Sequence, residues 1–327
     1  MRLLRCCVPA AHCLALFLGV LFGVLPCEGR APAVALSPEA AAVLDKIYSF
    51  QLDAAELDAR RYQQEHPDDP LGFLLEGEAL WWNIWCTSAD FKWGMVDARR
   101  RPKLETDQHY FEVARQAHAL ALAQIRKGDS AEMEFYAGMA DAQAARLYGL
   151  RGENRATARA GVRARQSFLR ALELDPQLAD ADFGLGLYNY YVDTLSAFAK
   201  MLRFFMGIPG GSKQEGVRQL EHAIASGVLT PTIARIYLAL NLHRYDEQYA
   251  RAIQFLNPVA RKYPSNPLFQ LMLGDLHAKL AHREEALAHY RAAAALPVAD
   301  AECRARIQAL AASAEAAVTA VEASGKP

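Results

Sequence analysis

Residues 231–264 read PTIARIYLALNLHRYDEQYARAIQFLNPVARKYP, and residues 271–297 read LMLGDLHAKLAHREEALAHYRAAAALP. The two segments repeat with a period of 34 residues, because Ala252 and Ala286 lie 34 positions apart (286 minus 252) in similar surroundings. In the second segment Gly274 precedes Ala286, Tyr290 follows it, and Pro297 ends the run. Small residues at this spacing allow paired helices to touch, large ones interdigitate, and the proline ends the unit. The stretch therefore predicts two helical hairpins.

This spacing resembles that of the tetratricopeptide repeat (TPR), a hairpin of two helices repeated along the chain. The resemblance implies an all-α fold, a right-handed α-solenoid of about six hairpins that ends in a capping helix. Worked outward from the regular stretch, the pattern predicts four hairpins over residues 37–230 and two regular hairpins over residues 231–297. Residues 298–323 then form the capping helix, whose polar outer face suits an exposed end.

Three of the four earlier hairpins carry insertions. In a regular unit the close-contact glycine and the small residue of the second helix are twelve apart, as Gly274 and Ala286 are. The corresponding separation is 37 for Gly77 and Ala114, 26 for Gly138 and Ala164, and 30 for Gly186 and Gly216. Because stacked hairpins place these turns on one edge of the superhelix, we expect units two to four to extend that edge.

Composition narrows the class of protein. The chain has 327 residues, of which 52% are hydrophobic, and this is ample for a core. The formal net charge is −1, and no basic stripe with interleaved aromatic residues is present, which argues against a nucleic-acid partner. Only nine of the 36 basic residues are lysines, and this excess of arginine, with the richness in alanine, favours a bacterial source.

Residues 1–33 have the layout of a secretory signal. Arg2 and Arg5 provide the positive start, residues 13–25 the apolar core, and residues 31–33 a small-residue cleavage site. We therefore expect export to the periplasm or the medium. The alternative is a membrane anchor that is not cleaved, because the uncharged run 6–26 is long enough to span a bilayer.

Cys86 and Cys303 are the two cysteines that follow this leader. They lie near opposite ends of the predicted array, and a solenoid keeps distant repeats apart. We therefore expect no disulfide between them.

The TPR resemblance implies a binding surface on the concave face, which the first helix of each hairpin lines. When the groove positions of the TPR are matched to this sequence one by one, the resemblance predicts these partner-binding residues: Trp81, Trp82, Tyr190, Tyr191, Tyr237, Asn241, Arg244, Tyr245, Asp275 and Lys279. Aromatic residues with arginine are frequent anchors of protein interfaces, so the expected partner is a protein or a peptide. The alternative is that the aromatic residues fill the core between the helices.

Residues 195–206 form a second candidate surface. Apolar side chains share one helix face, and the only charges are two cations: Phe198, Leu202, Phe205 and Met206, with Lys200 and Arg203. Such a helix either docks on a partner or a membrane surface, or packs on its neighbour. Together with the aromatic run 188–191 and the loop 207–211, it resembles a segment of the yeast inclusion-clearance family of TPR proteins at the mitochondrial outer membrane.

Motifs for metals, phosphate and catalysis are weak. A ligand-like spacing is present at His282, Glu285 and His289. Zinc sites need three or four converging ligands, and the sequence shows no further partner for these residues. We therefore expect them to face solvent, and we expect the protein to hold no metal or cofactor. In residues 207–213 a serine precedes the lysine, which is the wrong order for a phosphate loop. No catalytic motif is present.

The predicted function is therefore that of a non-enzymatic scaffold for protein interactions in the cell envelope. One alternative is a membrane-associated assembly factor, anchored by the leader or by residues 195–206. A second alternative is an enzyme whose site lies near residues 81–107.

Overall fold

Local signals start two of the helices where the sequence predicts them. Ser37 caps the first helix, because its hydroxyl accepts a hydrogen bond from the Ala40 amide at 3.1 Å, and Pro38 occupies the first helical position. Ser212 caps a later helix in the same way by accepting from the amide of Glu215 at 3.3 Å. Both caps belong to short sequence signals, a serine before Pro38 and a serine three residues before Glu215.

The computed structural model describes residues 34–88, 103–205 and 207–324. Within these ranges the chain forms fourteen helices and no strands, which confirms the all-α prediction. The helices are α1 (Pro38–Tyr48), α2 (Leu52–Glu65), α3 (Leu71–Ser88), α4 (Glu105–Ile125), α5 (Ala131–Leu150), α6 (Asn154–Leu174), α7 (Asp180–Thr194), α8 (Ala197–Phe205), α9 (Lys213–Ser226), α10 (Pro231–Arg244), α11 (Tyr249–Lys262), α12 (Pro267–Lys279), α13 (Arg283–Ala295) and α14 (Ala301–Ser324).

The helices pack in adjacent pairs. In one pair α7 packs on α9, and the short helix α8 lies between them in the sequence. The backbones of this pair touch at Gly186 and Gly216, where a Cβ atom on Gly216 would lie 2.6 Å from the Gly186 carbonyl oxygen. Only a residue without a side chain fits such an approach. The two positions are those that the sequence predicts for close contact.

Four of the turns between helices share one hydrogen-bond pattern. In each, a backbone amide donates to the carbonyl five residues earlier: Gln51 to Lys46, Glu153 to Tyr148, Ile208 to Arg203 and His282 to His277. The residue before each donor has a left-handed backbone, with φ values of 64° at Phe50, 76° at Gly152, 66° at Gly207 and 57° at Ala281. This is the Schellman arrangement, which satisfies the carbonyls at a helix end.

The two ends of the helix array meet at a surface that we call the closure seam. Its residues are Tyr48, Trp82 and Cys86 from the N-terminal helices and Tyr263, Phe269 and Cys303 from the C-terminal helices. The Tyr48 and Tyr263 rings are 5.5 Å apart, and the Trp82 and Phe269 rings meet edge to face at 5.7 Å between centroids. The side chain of Asn266 also donates to the Tyr48 carbonyl at 3.0 Å.

The seam overturns the expectation that the two mature cysteines stay apart. Cys86 at the end of α3 and Cys303 at the start of α14 form a disulfide, with 5.4 Å between their Cα atoms, and both are buried. The expectation was wrong because it assumed an open array, whereas α3 packs against α14. The bridge joins positions 217 residues apart. In the chain-entropy model it stabilises the fold by about 5 kcal/mol.

Some predictions fall outside the described residues, namely the leader at residues 1–33 and the stretch 89–102. The signal or anchor therefore remains a prediction. Of the helices in the described ranges, none has the length and apolar character needed to cross a membrane.

Candidate functional site

Four of the ten predicted partner-binding residues lie in the core. Trp81, Trp82, Tyr190 and Asn241 are buried, and Trp82 is only 1% exposed. These side chains therefore present almost no surface to a partner, as the alternative of core packing expects. The sequence pattern could not separate the two cases, because the same repeat positions face either a groove or a neighbouring helix.

Tyr237 belongs to a polar cluster inside the array rather than to an open surface. Burial raises the pKa of its hydroxyl, and the side chains of Arg146 and Trp81, from two other helices, act in the opposite direction. The Arg146 guanidinium is 2.7 Å from a carboxylate oxygen of Glu78 and 4.3 Å from the centroid of the Trp81 ring. It also donates to the Tyr110 hydroxyl at 3.0 Å. The cluster thus connects α3, α4, α5 and α10.

Three tyrosines come together where α7 meets the end of α10. We call this surface the tyrosine edge, and it consists of Tyr190, Tyr191, Tyr245 and the neighbouring Arg244. The three ring centroids are 6.0, 6.0 and 6.2 Å apart. Tyr191 meets both other rings edge to face, at 83° and 70°, which is a packing that aromatic rings prefer. The Tyr190 and Tyr245 rings are tilted at 59°. The rings therefore hold one another in place.

Tyr190 anchors the edge from below. Its hydroxyl donates to the Asp246 carboxylate at 2.7 Å, and the ammonium group of Lys213 pairs with the same carboxylate and lies 5.4 Å from the centroid of the Tyr190 ring. Burial and the nearby Asp246 carboxylate both raise the pKa of the Tyr190 hydroxyl, so it stays protonated and remains a donor at neutral pH. Asp246 and Lys213 were not predicted, since no repeat pattern marks them.

The upper part of the edge faces solvent. Tyr245 is 39% exposed, Arg244 is exposed with its guanidinium 5.9 Å from the Tyr245 ring, and Tyr191 is partly buried. The edge thus combines a rigid buried base with an accessible aromatic ring and a cation. Buried aromatic residues and arginine are the usual anchors of protein interfaces.

The remaining two predicted residues, Asp275 and Lys279, lie on α12. A carboxylate oxygen of Asp275 is 3.2 Å from His243 Nε2, and the hydroxyl of Tyr290 donates to Asp275 at 3.4 Å. Lys279 is exposed, with its ammonium group 6.0 Å from the Tyr249 ring. Lys279 is therefore available to a partner, whereas Asp275 is engaged within the chain.

Helix α8 is connected to the base of the tyrosine edge through charged groups. Asp193 accepts from the Lys200 ammonium on α8 at 2.9 Å and from the backbone amide of Lys213 at 2.9 Å. These two hydrogen bonds lower the pKa of the Asp193 carboxyl group. Since Lys213 also pairs with Asp246, a continuous set of polar contacts runs from α8 to the end of α10.

Apolar surface is exposed on α8. Met201 is 48% exposed and Phe204 is 75% exposed. The predicted apolar face cannot be followed further, since the side chains of Phe198, Leu202 and Phe205 and the whole of Met206 lie outside the described residues.

The glycine-rich loop after α8 is held against α7, in keeping with a structural turn. Tyr188 donates to the carbonyl of Pro209 at 2.9 Å, and Arg203 donates to the carbonyl of Ile208 at 2.8 Å. A Cβ atom on Gly211 would lie 2.6 Å from the Asn189 carbonyl oxygen, so the loop requires glycine there.

Residues 81–107 are the region in which the sequence leaves room for an enzyme site. At its end, Asp107 accepts two hydrogen bonds of 2.7 Å from Arg151, and both side chains are buried. Such a bidentate ion pair is a common structural element. Residues 89–102 of that region lie outside the described part of the chain.

Comparison of the chain with models of known protein families and with curated proteins gives no significant match.

Proposed function

We propose that this protein is an exported, non-enzymatic scaffold of helical hairpins of the TPR type, and that it binds a protein or peptide partner at the tyrosine edge. The observation that carries the proposal is the combination of exposed Tyr245 and Arg244 with the buried, hydrogen-bonded Tyr190 beneath them. An aromatic side chain that is already held in position loses little conformational freedom on binding.

The burial of Trp81, Trp82 and Asn241 bears on where the partner sits. Because these three side chains are buried, we place the contact at the edge, around Tyr191, Arg244 and Tyr245. We expect a few hot-spot residues, rather than a long groove, to supply most of the binding free energy.

The disulfide between Cys86 and Cys303 supports the export part of the proposal. Disulfides form and persist in oxidising compartments such as the bacterial periplasm, and they are rare in the cytosol. The predicted secretory signal at residues 1–33 agrees with this location.

The test compares partner recovery between two double variants. In the first, Arg244→Ala is combined with Tyr245→Ala. In the matched control, Arg115→Ala is combined with Leu57→Ala, because Leu57 is 69% exposed and the Arg115 side chain is 74% exposed. Each protein is used for affinity capture from its own cell envelope, and the co-purifying proteins are quantified.

We expect the edge variant to recover at least about tenfold less partner, since removing a hot-spot residue costs 2 kcal/mol or more, that is roughly a factor of 30. The control should recover as much as the unaltered protein, and circular dichroism should show equal helix content in all three. Equal recovery by the edge variant would contradict the proposal.

A further inference from the structure

The structure adds a third histidine, His277, to the pair His282 and His289 at the α12–α13 turn. His277 lies near the end of α12, His282 caps α13, and His289 lies on α13. The Schellman turn creates the first contact, because the amide of His282 donates to the carbonyl of His277 at 2.9 Å. Side chains at these two positions of the motif are placed side by side. Their Nδ1 atoms are 3.3 Å apart.

Part of the spacing is close to that of histidines that share one ion. With nitrogen–zinc distances of about 2.0–2.1 Å and tetrahedral geometry, two imidazole nitrogens on one zinc ion lie about 3.3 Å apart and the ring centroids about 5 Å apart. The nitrogens of His277 and His282 match the first value. The His277 ring centroid is 5.5 Å from that of His282 and 5.3 Å from that of His289, and both distances are near the second value. The His277 and His289 rings are stacked, with 23° between their planes, so one of them must turn for their nitrogens to converge.

The third histidine is held in a tautomer that suits a ligand. The Nδ1 atom of His289 is 2.8 Å from the Oε1 atom of Gln270, and an amide oxygen only accepts hydrogen bonds. The proton of His289 therefore resides on Nδ1, and its Nε2 atom keeps a free lone pair. Histidine ligands of metals usually donate from the other ring nitrogen to an oxygen in this way.

The rings of His277 and His289 are partly buried, whereas His282 is exposed. Glu285 lies one turn before His289 on α13.

A second group with ligand-like side chains lies elsewhere and is already neutralised. Oxygen and nitrogen atoms of Glu56, Glu76 and His109 lie within 4.8 Å of one another. The buried Glu76 accepts hydrogen bonds from Arg60 at 2.8 Å, from Gln63 at 2.6 Å and from the His109 ring at 2.9 Å. Arg60 pairs with both carboxylates, those of Glu76 and Glu56, so a cation of the chain itself already lies within this group.

We propose that His277, His282 and His289 bind one divalent ion of the imidazole-preferring class, such as Zn²⁺, Ni²⁺ or Cu²⁺. Glu285 or a water molecule would occupy the fourth position. The three nitrogens do not yet all lie within 4.8 Å of one another, so binding requires a side-chain rotation. The exposed His282 can make it. The ion would fasten α12 to α13 across their turn.

The test is titration of the full chain with Zn²⁺ alone by calorimetry at pH 7.5. The variants are His282→Gln, His277→Gln and His289→Gln, and His222→Gln is the matched control, because His222 is exposed and contacts a single carboxylate, that of Asp182. His282→Gln is the decisive variant, since its exposed side chain can be changed without disturbing the core. Circular dichroism verifies that each variant is folded.

We expect each variant of the cluster to lose one equivalent of Zn²⁺ or to bind it at least tenfold more weakly, and we expect the control to bind like the unaltered chain. Zinc should also raise the melting temperature of the unaltered chain more than that of His282→Gln. The proposal is overturned if the unaltered chain binds no zinc equivalent that depends on these histidines, or if His282→Gln binds Zn²⁺ with unchanged stoichiometry and affinity.

Discussion

The closure seam and the tyrosine edge are built from the same kinds of residue but have opposite relations to solvent. At the seam, Trp82 is 1% exposed and meets Phe269 from the other end of the array. At the edge, Tyr245 is 39% exposed and meets the rings of Tyr190 and Tyr191 from α7. The difference shows that aromatic content alone does not mark a binding surface. What matters is whether a distant part of the chain covers the aromatic side chain.

The two regions also differ in how they are fastened. The seam has the disulfide between Cys86 and Cys303 and a hydrogen bond from Asn266 to the Tyr48 carbonyl. The edge is fastened from below, where the Tyr190 hydroxyl donates to the Asp246 carboxylate and to the Asn241 carbonyl. The seam is therefore organised for stability, whereas the edge keeps one side accessible.

The largest expected effect is at the seam. Trp82→Ala removes a fully buried indole that packs against Tyr48, Trp85 and Phe269. We expect it to lower the free energy of unfolding by about 3–5 kcal/mol, the usual cost of removing a large aromatic side chain from a core. Chemical denaturation monitored by circular dichroism measures the effect. The control is Leu57→Ala, which should change stability by less than about 0.5 kcal/mol. A loss below about 1 kcal/mol for Trp82→Ala would show that the seam does not hold the fold together.

A smaller effect is expected at the edge. Tyr245→Ala removes a partly exposed ring whose contacts are with Tyr190 and Tyr191. We expect a loss of roughly 1 kcal/mol in the free energy of unfolding, because aromatic pairs contribute about 0.5–1.5 kcal/mol beyond the area that they bury. The same denaturation experiment measures it. A loss as large as that of Trp82→Ala would mean that the edge is part of the core, and the contrast between the two regions would disappear.

Local features of the fold could be predicted from the sequence. The caps at Ser37 and Ser212 depend on residues within three positions, and the close approach of Gly186 and Gly216 follows from the repeat phase. The all-α class follows from the same periodicity. These features need no knowledge of the distant parts of the chain.

The candidate site could be predicted only in part, because burial depends on contacts between distant residues. Tyr190 and Tyr191 are neighbours in the sequence, but of the two only Tyr190 is fully buried, and its hydroxyl donates to Asp246 in the turn after α10. The expectation for the cysteines failed for the same reason, as the seam joins positions 217 residues apart. His277 was missed because the left-handed residue in the turn after α12 is an alanine, which does not signal a Schellman turn as a glycine does.

The most direct test of the closed array is to map the disulfide. The full chain is produced in an oxidising compartment, unfolded without reductant in the presence of a thiol-alkylating reagent, and digested for mass analysis. The account predicts that the peptide containing Cys86 is joined to the peptide containing Cys303, since the two Cα atoms are 5.4 Å apart in the folded chain. Recovery of both cysteines in alkylated form, or of either one joined to a different cysteine, would contradict it.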